Sequence, residues 1–281
     1  EIVCHNISMI ALAAKEGGCR GILLDPEVYG NRYWWGHDQL RHPDDSEDGL
    51  REVYKDKSWE QMEGQVRKRG RQFAQAICKE FEDPVIMFFT ATGYTARQVN
   101  DPRWDTHKTA PYGLMVPFVD GILEGSSDGT IFVDCNSDMK GRSKIPQFEQ
   151  VRRYVKEDGL SFSVVPDLYK KKVRVGFTFR LGYHPREEEI SGENRISGLF
   201  DSAWPDANFY SPDRLEVALK MALQFGDGYI LFWNYRANWW LHSVTDRPED
   251  SAPINPMSRW VPPVYWSAIE RARASVTQES N

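Results

Sequence analysis

The stretch Gly21-Ile22-Leu23-Leu24-Asp25-Pro26-Glu27-Val28-Tyr29-Gly30 decides how the chain is read. A short uncharged run passes directly into two carboxylates separated by a proline. Apolar runs of this length bounded by turn residues read as buried strands. Gly17-Gly18 ahead of it suits the end of a helix from about Ile7 to Lys15.

Working outward, the same unit of helix followed by strand recurs. A helix from about Ser58 to Phe81, with Met62, Val66, Phe73 and Ile77 at helical spacing, precedes the run Val85-Ile86-Met87-Phe88-Phe89-Thr90. A helix through Leu114, Phe118, Ile122 and Leu123 precedes Thr130-Ile131-Phe132-Val133-Asp134. A helix from Phe148 to Val155, and a Val164-Val165 stretch that reads as a short extra strand, precede Val173 to Phe179. A helix from Pro212 to Phe225, capped by Ser211, precedes Tyr229-Ile230-Leu231-Phe232-Trp233, and a helix from about Pro263 to Ala274 comes last. Such alternation predicts parallel strands joined by helical crossovers. The expected fold is α/β, a TIM (β/α)8 barrel of which this chain carries roughly strands four to eight, with residues 1–281 as the C-terminal portion of one catalytic domain. An N-terminal segment or a second chain would then complete the barrel. An open five-stranded sheet is the alternative.

Composition narrows the function. With 41% hydrophobic and 27% charged residues in 281, the chain can bury roughly three quarters of its unfolded surface. The net charge of -6, without a long basic run, disfavours a nucleic-acid partner held through phosphates. The longest apolar runs fall far short of the ~20 residues that span a bilayer. Four scattered cysteines, Cys4, Cys19, Cys78 and Cys135, form no C-x-x-C pair, so neither a zinc site nor a disulfide framework is expected. The sequon Asn6-Ile7-Ser8 falls on what reads as a helix start and says little about compartment, which is left open with a secreted or periplasmic setting favoured. Ten Trp, 12 Tyr and 14 Phe, several of them clustered with polar residues, suit a carbohydrate ligand, because a sugar's apolar face stacks on rings while its hydroxyls need polar partners. A large core with aromatic rims accounts for the same composition.

In alternating strand–helix folds ligands bind beyond the carboxyl ends of the strands. The loops there, above all Tyr29 to Trp59 and Gly182 to Ser211, are long enough to carry function. Side-chain alternation puts Asp25 and Glu27 on one side, and two acids that close cannot both ionise freely, so one is expected to hold its proton as a general acid requires. Alternatively, Asp25 caps a turn with Pro26 while Glu27 pairs with an arginine such as Arg32.

The Gly21-x-x-x-Asp25-x-Glu27 segment resembles the D-x-E end of the strand-four motif of chitinase-type barrel glycoside hydrolases, and Trp233 falls where that family places a substrate-floor tryptophan. The resemblance implies that Glu27 protonates the glycosidic oxygen and that Asp25 positions a substrate acetamido group acting as internal nucleophile. The family's upstream Asp is Leu23 here, and its Met-x-Tyr-Asp on strand six reads Phe132-Val133-Asp134-Cys135.

Independently of the resemblance, Asp134 across the barrel from Glu27 would complete a two-acid glycosidase as nucleophile or general base. An Asp-Cys-Asn-Ser-Asp turn with side-chain hydrogen bonds accounts for Asp134 and Asn136 equally well. The spacing also resembles a calcium loop, but the required Gly and distal Glu are absent. Candidate sugar-binding residues are Tyr29, Trp35, His37, Tyr94 and Asn136, with Arg180, Tyr183, His184, Trp233 and Tyr235 from the later strand ends. His37 and His184 serve equally as loop hydrogen-bonders, Arg180 as a partner of Glu187 to Glu189, and the Tyr33-Trp34-Trp35-Gly36-His37 and Trp239-Trp240 clusters as packed loop cores. The leading expectation is a glycoside hydrolase acting on an oligo- or polysaccharide, with no cofactor and no metal. The alternatives are a non-catalytic carbohydrate-binding barrel and a metal-dependent hydrolase or isomerase using Asp25, Glu27, Asp134 and His184 as hard ligands.

Overall fold

The structure, a computed structural model, describes residues 1–27, 35–41, 54–135, 143–182, 200, 202–233, 237–238 and 259–279. Five strands form one parallel sheet in the order in which they occur: β1 (Gly21–Leu24), β2 (Val85–Phe88), β3 (Ile131–Asp134), β4 (Val173–Phe179) and β5 (Tyr229–Phe232). Register is direct: Leu24 lies beside Phe88, and Phe88 beside Asp134. The α/β class and each of the five strands agree with the sequence-based expectation to within two residues per end. Two further short strands, β6 (Ala237–Asn238) and β7 (Arg259–Trp260), pair with each other. The chain divides into two compact units, Glu1–Ser137 with Gln150–Gly176, and Asp138–Glu149 with Phe177–Asn281.

In the first unit, helix α1 (Ile2–Glu16) ends in a Schellman turn: the amide of Cys19 donates to the Ala14 carbonyl and that of Gly18 to Lys15, with Gly18 at φ 71°. Gly18 supplies the left-handed residue that the turn requires. Asn6-Ile7-Ser8 lies inside α1 rather than at its start. After β1 come the short α2 (His37–Arg41) and the long α3 (Trp59–Glu80). Ser58 and Gln61 form a reciprocal capping box at the head of α3, each side chain accepting from the other's backbone amide. Helix α4 (Thr92–Val99) follows β2, and α5 (Met115–Gly125) precedes β3.

Helices α3 and α5 cross with their backbones nearly touching. A Cβ on Gly70 would run into the Phe118 carbonyl oxygen, and one on Gly121 into the carbonyl oxygen of Arg67. The approach is braced by Glu124, which accepts from Arg67 and from Arg71, the latter at 2.8 Å. Burial pulls the Glu124 carboxyl upward, but these two guanidiniums outweigh it and hold it below its ordinary range.

Beyond β3 the chain forms α6 (Ile145–Arg153), a π-helical turn at Tyr154–Asp158, α7 (Gly159–Phe162) and α8 (Pro166–Lys172). Val164-Val165 is not a strand. The buried Asp120 of α5 accepts from the Val164 amide at 3.0 Å and from the Ser163 hydroxyl, folding the segment into a turn that Pro166 converts into α8. Lys172 at the end of α8 is 3% exposed, and its ammonium donates to the carbonyls of Leu123, Ser126 and Ser127 at the close of α5. A cation there matches the negative end of the helix.

In the second unit, Phe177 packs on Phe148 of α6, and Phe179 packs on Tyr210 and Phe232. Ser211 accepts from the Arg214 amide to cap α9 (Pro212–Phe225), with Pro212 at its first position. Tyr265 of α10 (Pro263–Glu279) is fully buried; its hydroxyl donates to the Tyr210 carbonyl at 2.8 Å and accepts from Asn208, and burial pushes it up to about 12. Among the described residues no helix is long and apolar enough to cross a membrane.

Two outcomes follow from this packing. Gly121→Ala should destabilise the protein by about 1–3 kcal/mol, the usual cost of overpacking, because the obstacle is backbone; urea denaturation checks it. Burial holds the Asp120 carboxyl above its ordinary range despite the bonds from Ser163 and Val164. The folded state therefore binds this proton more tightly than the unfolded state, so the stabilisation is complete below the unfolded value of roughly 3.9 and is lost as pH rises through the folded one. Asp120→Asn, which keeps an acceptor for Val164, should gain in Tm over the parent between pH 4 and pH 7. A parent that gains on the variant over that interval would contradict the assignment.

Candidate functional site at the carboxyl ends of the strands

β1 ends at Leu24, so Asp25 and Glu27 sit in the turn beyond it and not on a common strand face. The turn is held from two directions. Asp25 Oδ1 accepts from the Glu27 amide at 3.0 Å, an Asx turn across Pro26. Trp35 Nε1 donates to the Pro26 carbonyl at 2.9 Å. Trp35 is in turn fixed by its ring against Phe118, centroids 5.2 Å apart, and by its carbonyl, which accepts from the Leu114 amide. Glu27 is half-buried and Asp25 is exposed. The alternative expectation, that Asp25 caps a turn with Pro26, is met.

Asp134 has a different environment. In-register neighbours of a parallel sheet point to one side, and Phe88, its neighbour, packs on Phe118 of α5. Asp134 thus points into the helical layer, with no exposed surface. Its Oδ2 accepts from the Gly93 amide at 2.7 Å and from the Thr92 hydroxyl at 3.2 Å. It serves as the N-terminal cap of α4, whose own residue at that position, Ala91, has no side-chain acceptor. The Thr92 hydroxyl is also 2.7 Å from that of Tyr169, which donates to the Val155 carbonyl and is fully buried. Burial, with Asp134 nearby, drives the Tyr169 hydroxyl and the Cys135 thiol far above their ordinary values, which leaves that thiol unreactive.

Tyr94, one turn into α4, is half-buried, with its ring edge-on to Tyr112 at 4.9 Å and the Arg97 guanidinium over it at 5.7 Å. His37 opens α2 with both ring nitrogens engaged: Nε2 donates to the Lys57 carbonyl at 3.1 Å, and Nδ1 is 3.0 Å from Asp38 Oδ1. Its ring meets Trp59 edge-on at 5.7 Å. Trp35 and His37 are therefore built into a packed cluster. In the second unit the guanidinium of Arg180, 6% exposed, lies over the Trp233 ring at 4.8 Å, and the Trp233 amide extends the β4–β5 ladder through Phe179.

Tyr29, Asn136, Tyr183, His184 and Tyr235 lie outside the described residues, as do Arg32, Asp138, Glu187 to Glu189, Tyr33-Trp34 and Trp239-Trp240. Among the described residues, no group of three or more His, Cys, Asp or Glu side chains stands together as a metal site would require. Sequence reasoning missed Tyr169, Lys172 and Asp120, the buried polar groups that position the strand ends and helix termini. A tyrosine and a lysine within the Tyr169-Lys170-Lys171-Lys172 run carry no local signal that separates them from a solvated helix face.

Asp134→Ala should cost about 1.5–3 kcal/mol, the worth of a buried hydrogen bond to a charged group. Amide exchange at Gly93 should accelerate in the same variant. A change confined to activity, with stability and Gly93 protection intact, would overturn the capping role.

No protein-family model, no curated protein and no solved structure matches this chain.

Proposed function

We propose that the chain is the greater part of a (β/α)8 barrel, carrying its fourth to eighth strands, and that it acts as a glycoside hydrolase with Glu27 as general acid. The barrel is supported by strand order. A doubly wound sheet reverses direction at a switch point, whereas here each strand adds beside the previous one without a reversal. With right-handed crossovers, steps in one direction put all helices on one face, as a barrel requires.

The observation that carries the activity is the two-sided clamp on the Asp25-Pro26-Glu27 turn, by the Glu27 amide to Asp25 and by Trp35 Nε1 to Pro26. It holds a half-buried carboxyl at the carboxyl end of a strand, where barrel enzymes place their catalytic groups. Glu27 would protonate the glycosidic oxygen, and Asp25, whose Oδ1 is taken up by the turn, would orient Glu27 and present its other oxygen to substrate. Asp134 is poorly suited to attack an anomeric carbon, since its carboxylate is buried against α4. The nucleophile is better sought in the substrate's own acetamido group, as the chitinase-type resemblance implies.

The test is hydrolysis of a panel of chromogenic glycosides and N-acetylhexosamine oligosaccharides. Glu27→Gln should lower the rate at least ~100-fold, the scale of general acid catalysis, with Tm unchanged. If Glu27→Gln binds oligosaccharide as the parent does and the parent turns over no member of the panel, the protein is a carbohydrate-binding barrel instead.

A further inference from the structure

A concave site lies in the helical layer of the first unit, lined by residues other than Asp25 and Glu27. A cavity of about 730 Å³ opens between α2 and α3. Its deep wall is Met62 and Leu114, both buried, which with Trp59 form a compact apolar cluster. Leu40, Tyr54 and Val66 pack around that cluster and line the same space.

The floor is one stripe of α3. Gln61, Met62, Gln65, Val66 and Arg69 line it, and residues spaced by three or four share a helix face. From Gln61 to Arg69 the stripe runs roughly 12 Å at 1.5 Å per residue. Two cations flank it, Lys57 at the head of α3 and Arg69 about three turns along, and no carboxylate is among its described lining residues. Arg69 has one hydrogen bond among the described residues, Nη1 to Gln72 Oε1, which leaves most of its donors for another acceptor.

Apolar walls with a few convergent polar groups are the mark of a small-molecule site, and this volume lies within the usual range. A neutral apolar guest would give the two cations nothing to pair with. A sugar would find little to hydrogen-bond on a wall of Met, Leu and Val. We propose that this cavity binds a medium-chain fatty acid, its alkyl chain against Met62 and Leu114 and its carboxylate paired with Arg69, with Lys57 adding to the positive field. Guanidinium and carboxylate match as a bidentate pair.

Isothermal titration of decanoate and of decan-1-ol into the full 281-residue chain tests this. Decanoate should bind saturably with one site, and the alcohol about ten-fold more weakly or less, as loss of a charge-assisted hydrogen bond predicts. Arg69→Met should weaken decanoate about ten-fold and leave the alcohol unchanged. Gln65→Trp, at an exposed position of the α3 stripe, should abolish binding of both with the Tm of the parent retained. No saturable binding, equal affinity for acid and alcohol, or binding indifferent to Gln65→Trp would each overturn the proposal. Glycoside turnover by the Arg69→Met variant should match the parent, so this site and the Glu27 site fail or stand separately.

Discussion

The structure of the first unit depends on what becomes of the carboxylate of Asp134. Direct register sets it beside Phe88 at the end of β3, and Phe88 faces the helices, so the acid is carried into a layer where an unpaired charge would be very costly. It is accommodated because α4 begins there. The first amides of a helix have no partners within the helix, and Gly93 gives its N–H to this oxygen. The dependence runs both ways. Thr92-Gly93 is a weak helix start, with a β-branched residue, a glycine and no local cap, and the helix forms where a buried acceptor meets it. Thr92 and Tyr169 extend the same contact towards the π-helical turn through Val155.

A complementary arrangement closes α5. Its carbonyls at Leu123 and Ser126, with Ser127 just beyond, converge on the ammonium of Lys172. Burial lowers the Lys172 ammonium below its ordinary value, yet these carbonyls supply the acceptors that a buried cation needs. An acid thus stands at the positive end of one helix and a lysine at the negative end of another, both buried. Between them the Gly70–Gly121 crossing brings α3 and α5 to backbone contact, and Glu124 holds it with Arg67 and Arg71.

The parts of this legible in the sequence are those with local causes. Each strand is a short, mainly apolar run, and α3, α5 and α9 carry their apolar residues at helical spacing, so periodicity finds them. Ser211-Pro212 marks the start of α9 as written. What escaped reading has distant causes. The cap of α4 lies 42 residues away at Asp134, and the turn at Ser163 to Val165 is bent by Asp120, 44 residues from Val164. Two adjacent valines favour a strand by propensity alone, and an acid from another helix overrides them. At the candidate site, Asp25 and Glu27 stand out because carboxylates rarely end an apolar run. The indole of Trp35 that fixes their turn does not, since a tryptophan in an aromatic-rich loop looks the same whether it stacks on a ligand or on Phe118.

The same contrast separates the acids by role. Asp134 reads from its sequence context as a strand-end carboxylate of the kind that carries chemistry, yet its surroundings spend it on backbone and hydroxyl donors and give it no surface. A group so committed can orient a helix, but to attack a substrate it would have to abandon the start of α4. Asp25 and Glu27 are placed the other way about: one oxygen of Asp25 accepts from the Glu27 amide within a local turn, and the Pro26 carbonyl of that turn accepts from Trp35. Bonds to its backbone fix where that turn stands, and this difference in how the acids are anchored, more than their spacing in the sequence, singles out the turn after β1.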